Sequence, residues 1–400
     1  MEYQFSKSLD GFKSSAVREI LKLTQGKSII SFAGGLPAEE FFPLDAVKDA
    51  VERVMASGKS ALQYGLTEGY TPLRQSICNW MEQKGIHVTP NEMLITTGSQ
   101  QAIDLLTRVY IDQDDVILVE RPTYLAAIQV FQSRGARIIS VDGDQDGMDL
   151  DDLKAKVAEY KPKMVYVIPT FSNPTGKVWN LERRKGLLSI CREANILILE
   201  DDPYGELKFG DTEVYPSIFS LDEHPHNSCV VYTSTFSKTV APALRTGWVM
   251  GDPQIIGNMT RAKQAADLHS STLDQQTLHQ LLEHFDLQGH IQLIRKHYEE
   301  RMRLMAELLA EYNWPGVTWN EPKGGMFFWV ELPESIDTTE LMKVAVENGV
   351  AFVPGVSFYA DRPKNNTMRL NYTFADNETM RLGMERLNRA ITSALEKTNA

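Results

Sequence analysis

The 400-residue sequence is poor in cysteine. Its three cysteines, Cys78, Cys191 and Cys229, lie far apart along the chain. None belongs to a Cys-x-x-Cys pair, so the sequence indicates neither a disulfide framework nor a zinc site. Such sparing use of cysteine is typical of proteins in a reducing cytosol.

Long hydrophobic runs and an excess of basic charge are also missing. The longest apolar runs, such as MVYVI and ILIL, are too short to span a bilayer. The N-terminal stretch MEYQFSKSLDGFKSS lacks the apolar core of a signal peptide. The formal net charge of -12 argues against a general nucleic-acid binder. We therefore expect a soluble cytoplasmic protein that binds small molecules, with neither membrane nor nucleic acid as a partner.

The middle of the chain alternates short apolar runs with helical patterns. Several of the runs are apolar throughout, which is typical of strands buried on both faces. The predicted strands are Met93–Thr97, Val116–Val119, Ile138–Val141, Met164–Ile168, Ile196–Leu199, Val230–Thr233 and Thr246–Met250. Helices are predicted between them, for example at Gln101–Tyr110, Leu125–Ser133 and Arg183–Glu193. This alternation predicts an α/β fold with a mostly parallel sheet and helices on both faces.

The pattern changes after about Asp274. A long amphipathic stretch runs to Tyr312, and we expect Gly289 to interrupt it. The elements predicted beyond it are a strand at Gly325–Glu331, a helix at Thr338–Asn348, a strand at Met368–Tyr372 and a last helix from Asn377. We expect an N-terminal arm at residues 1–43, with a helix around Val17–Leu23 packed on the small domain. A large domain follows at 44–295 and a smaller α+β domain at 296–400.

The segment STFSKTVAPALRTGW places Lys238 after a strand, among hydroxyl groups. Thr235 and Ser237 precede the lysine, and Arg245 follows seven residues later. A nearby guanidinium would lower the pKa of the lysine amine and make it a better nucleophile. Hydroxyls and a guanidinium also suit a phosphate dianion. Taken alone, Lys238 would be interpreted as a surface lysine.

Three further segments place polar residues directly after predicted strands. In ITTGSQQAIDLL, Ser99 is predicted to be the N-cap of a helix whose free N–H groups would form an anion site. In ILILEDDPYGEL, Glu200, Asp201 and Asp202 terminate a strand, where ligands bind in open α/β sheets. The N-P-T-G sequence that begins at Asn173 is a turn signal after the strand Met164–Ile168.

Taken together, these motifs resemble the fold type I aminotransferases, which use pyridoxal 5′-phosphate (PLP). The resemblance covers nearly the whole chain and is strongest to the branch with 2-aminoadipate, kynurenine and aromatic aminotransferases. It rests on S/T-x-S-K followed by R-x-G, on N-P-T-G and on Asp-x-x-Tyr, which occur in family order. It implies that Lys238 carries PLP as a Schiff base. One departure is Thr235, which stands where serine is commoner in the family and keeps the hydroxyl.

The resemblance also implies a role for each cofactor contact. Asp201 would hold the protonated pyridine nitrogen, with Asp202 as a supporting neighbour. Tyr124 would stack on the ring. Asn173 and Tyr204 would bond the phenolic oxygen. The phosphate ligands would be Ser99, Gln100, Thr235, Ser237 and Arg245.

Five residues are implied on the substrate side and at a subunit interface. Arg369 in MRLNYTF would grip the α-carboxylate together with Asn173, and Gly35 in ISFAGGLPAEEFFP would approach the same group. Tyr64 in LQYGLTEGYTPLR would reach the phosphate and substrate of a neighbouring subunit, which implies a homodimer. Arg18 could meet a distal substrate carboxylate. It could instead be an exposed helix charge, and the helix could serve aromatic or aliphatic side chains.

We therefore predict transamination from an L-amino acid to a 2-oxo acid, with 2-oxoglutarate as the expected acceptor. Lys238 would act as the general acid and base, and the kinetics would be ping-pong. Two alternatives stay open. One is another PLP reaction, such as a β-lyase. The other is the effector domain of a bacterial transcription regulator, although the sequence shows no room for a winged helix.

Overall fold

The computed structural model describes residues 1–6, 20, 29–222 and 227–399. A seven-stranded central sheet dominates its first two thirds. In spatial order the strands are Met93–Thr96, Gly247–Met250, Val230–Thr235, Leu197–Asp201, Met164–Val167, Val116–Glu120 and Arg137–Val141. These are the seven strands that the sequence predicts, with small differences at the ends.

The central sheet is mostly parallel, as predicted. The strands from Val230–Thr235 across to Arg137–Val141 pair in parallel. Gly247–Met250 runs antiparallel to both of its neighbours. Because four successive pairings are parallel, the carboxyl ends of these strands meet along one edge of the sheet, where open α/β sheets bind their ligands.

Apolar side chains cover both faces of this sheet. In the strand Leu197–Asp201, Ile198 packs into the cluster that contains Leu73 and Leu187. Leu197 and Leu199 pack into a second cluster on the opposite face. Burial of each such side chain contributes about 1.5–3 kcal/mol, which explains the unbroken apolar runs.

Helices flank the sheet on both sides. They span Leu44–Ala56, Thr71–Glu82, Gly98–Tyr110, Leu125–Ser133, Leu150–Tyr160, Leu181–Glu193, Ile218–Leu221, Pro253–Asp267 and Thr272–His284. The predicted helices at Gln101–Tyr110, Leu125–Ser133 and Arg183–Glu193 are confirmed within three of them. Side-chain caps start several of these helices, as at Asp149 and Asn180.

The long amphipathic stretch is two helices, Thr272–His284 and Leu287–Tyr312. The prediction that Gly289 interrupts it is wrong, because Asp286 caps the second helix by accepting a hydrogen bond from the Gly289 N–H at 2.9 Å. Gly289 therefore lies in the first helical turn. The second helix buries Leu287 and Ile291 in one core of the central sheet. Farther along, it buries Tyr298 and Leu309 in the core of the smaller unit.

A four-stranded antiparallel sheet forms the centre of the smaller unit. Its order is Thr318–Trp319, Phe327–Glu331, Thr367–Asn371 and Val353–Pro354. The helices Thr338–Glu347 and Asn377–Asn399 accompany it. The predicted strands and helices of this part are thereby confirmed, and so is the fold class of a mostly parallel sheet with a smaller α+β unit.

The N-terminal segment joins the smaller unit through a parallel pairing of Ile30–Ser31 with Val350–Ala351. A short hairpin pairs Gly143–Asp144 with Gly147–Met148. The predicted helix around Val17–Leu23 lies, except for Ile20, outside the described residues. The domain limits at 43/44 and 295/296 stay predictions. Within the described ranges, no helix is long and apolar enough to cross a membrane.

Candidate active site

A cavity of about 310 Å³ opens at the carboxyl ends of the parallel strands. It brings together most of the residues selected from the sequence. These are Gly35, Ser99, Gln100, Tyr124, Asn173, Asp201, Tyr204, Thr235, Ser237, Lys238, Arg245 and Arg369. Residues separated by more than 300 positions in the sequence therefore share one space in the fold.

Lys238 ends a short 3-10 turn, Phe236–Lys238, directly after the strand Val230–Thr235. The Thr235 side chain accepts a hydrogen bond from the Ser237 N–H at 3.1 Å and fixes this turn. The Lys238 amine donates to the Gly35 carbonyl at 2.7 Å. Burial lowers the pKa of Lys238 to about 8, with smaller contributions from Arg369 and Arg245. The expected influence of Arg245 is therefore present, but burial and Arg369 have larger effects.

One end of the cavity suits an anion. Gly98 opens the helix Gly98–Tyr110 with a φ of +73°, and a Cβ there would lie 2.6 Å from Nη2 of Arg245. A Cβ on Gly247 would lie 2.9 Å from the Ser99 nitrogen. Glycine at both positions lets a strand, a helix N-terminus and a guanidinium approach one another closely. Helix N–H groups beside a cation form an anion-binding arrangement.

Ser99 is not the N-cap of this helix, contrary to prediction. The helix begins at Gly98, so Thr97 holds the cap position and Ser99 lies within the first turn. The Thr97 side chain does not cap the helix. Instead, the Gln101 side chain reaches back and accepts a hydrogen bond from the Thr97 N–H at 2.8 Å. Ser99 remains on the cavity wall.

Asp201 is a buried carboxylate at the end of the strand Leu197–Asp201. The Tyr166 hydroxyl donates to its Oδ2 at 2.9 Å. Its Oδ1 has no hydrogen-bond partner among the described residues. Burial raises the pKa of Asp201 to about 7. A buried acceptor without a partner is costly, so a cationic donor in the cavity would be strongly favoured at this oxygen.

Asn173 connects two other polar groups in the cavity. Its Nδ2 donates to the Tyr204 hydroxyl at 3.4 Å, and its Oδ1 accepts from Nη1 of Arg369 at 2.7 Å. Arg369 also donates to the Ala33 carbonyl at 2.7 Å, and its guanidinium carbon lies 4.1 Å from the centre of the Phe327 ring. Burial lowers the pKa of Arg369 to about 10, which leaves it cationic at neutral pH.

Tyr124 lies on the cavity wall just before the helix Leu125–Ser133. Its hydroxyl is 3.4 Å from Oε1 of Gln100. Tyr64 is not brought into the cavity of its own chain. Its side chain is 79% exposed and contacts the His269 ring edge-on at 5.7 Å. Arg18 lies outside the described residues.

Asp202 faces away from the residues that line the site. Its Oδ2 accepts from the Tyr232 hydroxyl at 2.9 Å, and its Oδ1 accepts from the Gly205 N–H at 2.9 Å. It lines a separate cavity that also contains Arg184. This geometry gives Asp202 a supporting place in the loop rather than a contact with the site.

Tyr166, whose hydroxyl donates a hydrogen bond to Asp201, was not among the residues that sequence analysis selected. The available signal was its hydroxyl, since Tyr166 carries the only polar side chain in the strand Met164–Val167. Sequence analysis also missed the apolar wall of the cavity, formed by Leu125, Ala126, Ile168, Pro203 and Pro242. These residues carry no chemical group that would single them out in a sequence.

The sequence matches a known protein family over most of its length. The family described as "Aminotransferase class I and II" matches residues 28–387. The aromatic-amino-acid aminotransferase 1 of Thermococcus litoralis is 41% identical, and the match covers 99% of this chain and 96% of that protein.

Two solved structures are similar over 98% of both chains. The multiple substrate aminotransferase of Thermococcus profundus has a TM-score of 0.92 at 42% identity. The α-aminoadipate aminotransferase LysN of Thermus thermophilus has a TM-score of 0.91 at 39% identity, and that crystal holds N-(5′-phosphopyridoxyl)-L-leucine. The protein described here belongs to the class I and II aminotransferases and is a PLP-dependent aminotransferase with the fold type I structure.

Proposed function

We propose that this cavity is the PLP site and that Lys238 binds the cofactor covalently. The observation that supports this most is the convergence of three chemically distinct groups. A buried amine with a pKa of about 8, a carboxylate oxygen without a described partner and a helix N-terminus beside Arg245 line one cavity. They correspond to the aldehyde, the ring nitrogen and the phosphate of PLP.

We assign the remaining cofactor contacts to other residues that line the cavity. Ser99, Gln100, Thr235, Ser237 and Arg245 bind the phosphate at the glycine-rich end. Asp201 holds the ring nitrogen, and Asn173 and Tyr204 donate to the phenolic oxygen. Tyr124 stacks on the ring, where offset contact of aromatic faces is favourable. When bound, PLP supplies a cationic ring that delocalises the electrons left on the substrate Cα.

Arg369 and Asn173 hold the α-carboxylate of the substrate, and Gly35 lies beside it. The Arg369 side chain is held over the Phe327 ring, so its guanidinium is oriented in advance for a bidentate pair. Once the substrate amine has replaced it on the cofactor, the free Lys238 amine would move the proton from Cα to C4′. Its lowered pKa suits this task, because about half of the amine is neutral near pH 8.

The test is a panel of L-amino acids assayed against 2-oxoglutarate and pyruvate, with Lys238→Ala as the matched variant. We expect oxo-acid formation by the wild type and a loss of about 10²–10⁴-fold in the variant. The variant should also lose the visible absorption of covalently bound cofactor. Ammonia release without any new amino acid would contradict transamination and favour a β-lyase.

We further propose a broad substrate range that includes aromatic and dicarboxylic amino acids. The similar proteins carry names for aromatic, multiple-substrate and α-aminoadipate activities. Arg18 is the candidate for contact with a distal carboxylate. We expect Arg18→Ala to raise KM for 2-aminoadipate or glutamate more than KM for leucine or phenylalanine. Equal changes would remove Arg18 as a specificity residue.

We also propose a homodimer with shared sites, in which Tyr64 enters the neighbouring site. Tyr64, Leu62 and Leu66 form an exposed apolar patch, which is unusual for a surface without a partner. Mixing Tyr64→Ala with Lys238→Ala subunits should restore activity that neither variant has alone, because a hybrid contains one intact site. Mixing without recovery, despite subunit exchange, would contradict this arrangement.

A further inference from the structure

A lysine is completely buried behind the helix that opens the anion end of the cavity. Lys263, with an exposed fraction of 0%, lies in the helix Pro253–Asp267. Its amine donates to both carboxylate oxygens of Asp267, at 3.0 and 2.9 Å, and to Oε1 of Gln101 at 2.7 Å. Gln101 in turn donates to Asp267 at 2.6 Å. The three side chains therefore form a closed network.

This network ends on the peptide that precedes the cavity wall. Oε1 of Gln101 also accepts the Thr97 N–H at 2.8 Å. The next three residues, Gly98, Ser99 and Gln100, line the cavity. A second contact comes from Ser270, whose hydroxyl lies 2.9 Å from that of Thr97. The segment from Lys263 to Ser270 thus holds Thr97 at two points.

Stability alone is a weak explanation for such a network. Burial of a lysine costs several kcal/mol, and a buried ion pair recovers this only with good geometry. Burial lowers the pKa of Lys263, whereas the hydrogen bonds that its amine donates to Asp267 oppose this shift. An apolar pair would fill the same volume at lower cost, but it could not orient the Gln101 amide. The feature that only the charged network supplies is a fixed direction for the Thr97–Gly98 peptide.

We propose that Lys263 is a positioning residue for the cofactor phosphate. Acting with Asp267 through Gln101, it fixes the turn at which the helix Gly98–Tyr110 begins, and so aims the first helical N–H groups at the phosphate. The inference rests on the proposed function, in which this end of the cavity binds the phosphate of PLP. Lys263 itself does not line the cavity.

The experiment compares two probes on the apoenzyme, PLP and its phosphate-free form pyridoxal. Lys263→Met keeps the length of the side chain and removes its charge. We expect the dissociation constant for PLP to rise by about tenfold, the size of one lost charged hydrogen bond, while that for pyridoxal stays within about twofold. The ³¹P resonance of bound PLP should also move.

A matched control is Lys156→Met. Lys156 pairs with Asp152 four residues earlier at 2.7 Å, in the helix Leu150–Tyr160, away from the cavity. The control should leave both dissociation constants unchanged. Gln101→Met is a second variant that breaks the same link without removing a charge, and it should weaken PLP binding in the same selective way.

Equal weakening of PLP and pyridoxal would overturn the proposal and give Lys263 a general structural role. Unchanged PLP binding in both Lys263→Met and Gln101→Met would overturn it as well. A wild-type apoenzyme that binds pyridoxal as tightly as PLP would instead contradict the phosphate site of the proposed function. The two failures are therefore distinguishable.

Discussion

Two consecutive carboxylates at the end of the strand Leu197–Asp201 have different surroundings: Asp201 is the last residue of the strand, and Asp202 follows it. Each accepts a hydrogen bond at 2.9 Å from the hydroxyl of a buried tyrosine on a neighbouring strand, Tyr166 for Asp201 and Tyr232 for Asp202. The second oxygen of Asp202 is bonded to the Gly205 N–H. The second oxygen of Asp201 has no described partner and belongs to the cavity wall.

Two identical residues at consecutive positions therefore have different environments, one in the loop and one in the cavity wall. Successive side chains point to opposite faces, so one carboxylate meets the loop and the other meets the cavity. Hydrogen bonds saturate Asp202, whereas Asp201 keeps one oxygen for a ligand.

The largest contrast is expected between Asp201→Asn and Asp202→Asn. Asp201→Asn removes the charge that would keep the pyridine nitrogen protonated, and kcat/KM should fall by about 10³-fold. Asp202→Asn should change kcat/KM by no more than about threefold, since that carboxylate lies outside the cavity. Steady-state kinetics on purified holoenzymes measure both. Comparable losses of kcat/KM in the two variants would contradict the different roles of the two carboxylates.

A smaller contrast is expected between Tyr166→Phe and Tyr232→Phe. Tyr166→Phe leaves Asp201 without its one described donor, and kcat should fall by about tenfold. Tyr232→Phe should leave kcat within about twofold and lower the free energy of unfolding by about 1–2 kcal/mol. Kinetics and urea unfolding separate the two effects. A fall in kcat for Tyr232→Phe, with Tyr166→Phe unaffected, would reverse the assignment.

The smallest effect concerns the pH dependence of apoenzyme stability. The folded pKa of Asp201, about 7, lies above the ordinary value of 3.8 because burial disfavours the ionised form. The proton on Asp201 therefore stabilises the folded state below the unfolded pKa, and this stabilisation is lost as the pH rises through 7.

Asp201→Asn does not titrate, so it should gain stability relative to the wild type as the pH rises through 7. The gain should be lost as the pH falls. Urea unfolding of both apoproteins on either side of the Asp201 pKa measures it.

The strands were predictable because their signal is local. Each of the seven is a short apolar run bounded by turn residues, and the structure confirms all of them. Their spatial order was not predictable from such runs, since pairing is decided by contacts between distant segments. Local patterns also misplaced two helix starts. Asp286 caps the helix that contains Gly289, and Thr97, not Ser99, holds the N-cap position of the helix Gly98–Tyr110.

The cavity residues were selected from motifs, and most of them line one space. The motifs did not identify the residues that hold the cavity residues in place from outside the cavity. Tyr166 lies in an ordinary apolar strand, and Lys263 lies in an ordinary helix. Their importance comes only from which side chain each one contacts across the fold. A single sequence contains no record of such contacts.

The helix Leu287–Tyr312 has a mechanical consequence. Its 26 residues bury one end in the core of the central sheet and the other in the core of the smaller unit. Such a helix is a stiff lever about 39 Å long. A tilt of about 5° around its first turn would displace its far end by about 3 Å, the scale of one water molecule. Because the far end packs in the same core as Met368 and Leu370, which flank Arg369, such a tilt would shift Arg369 relative to the central sheet.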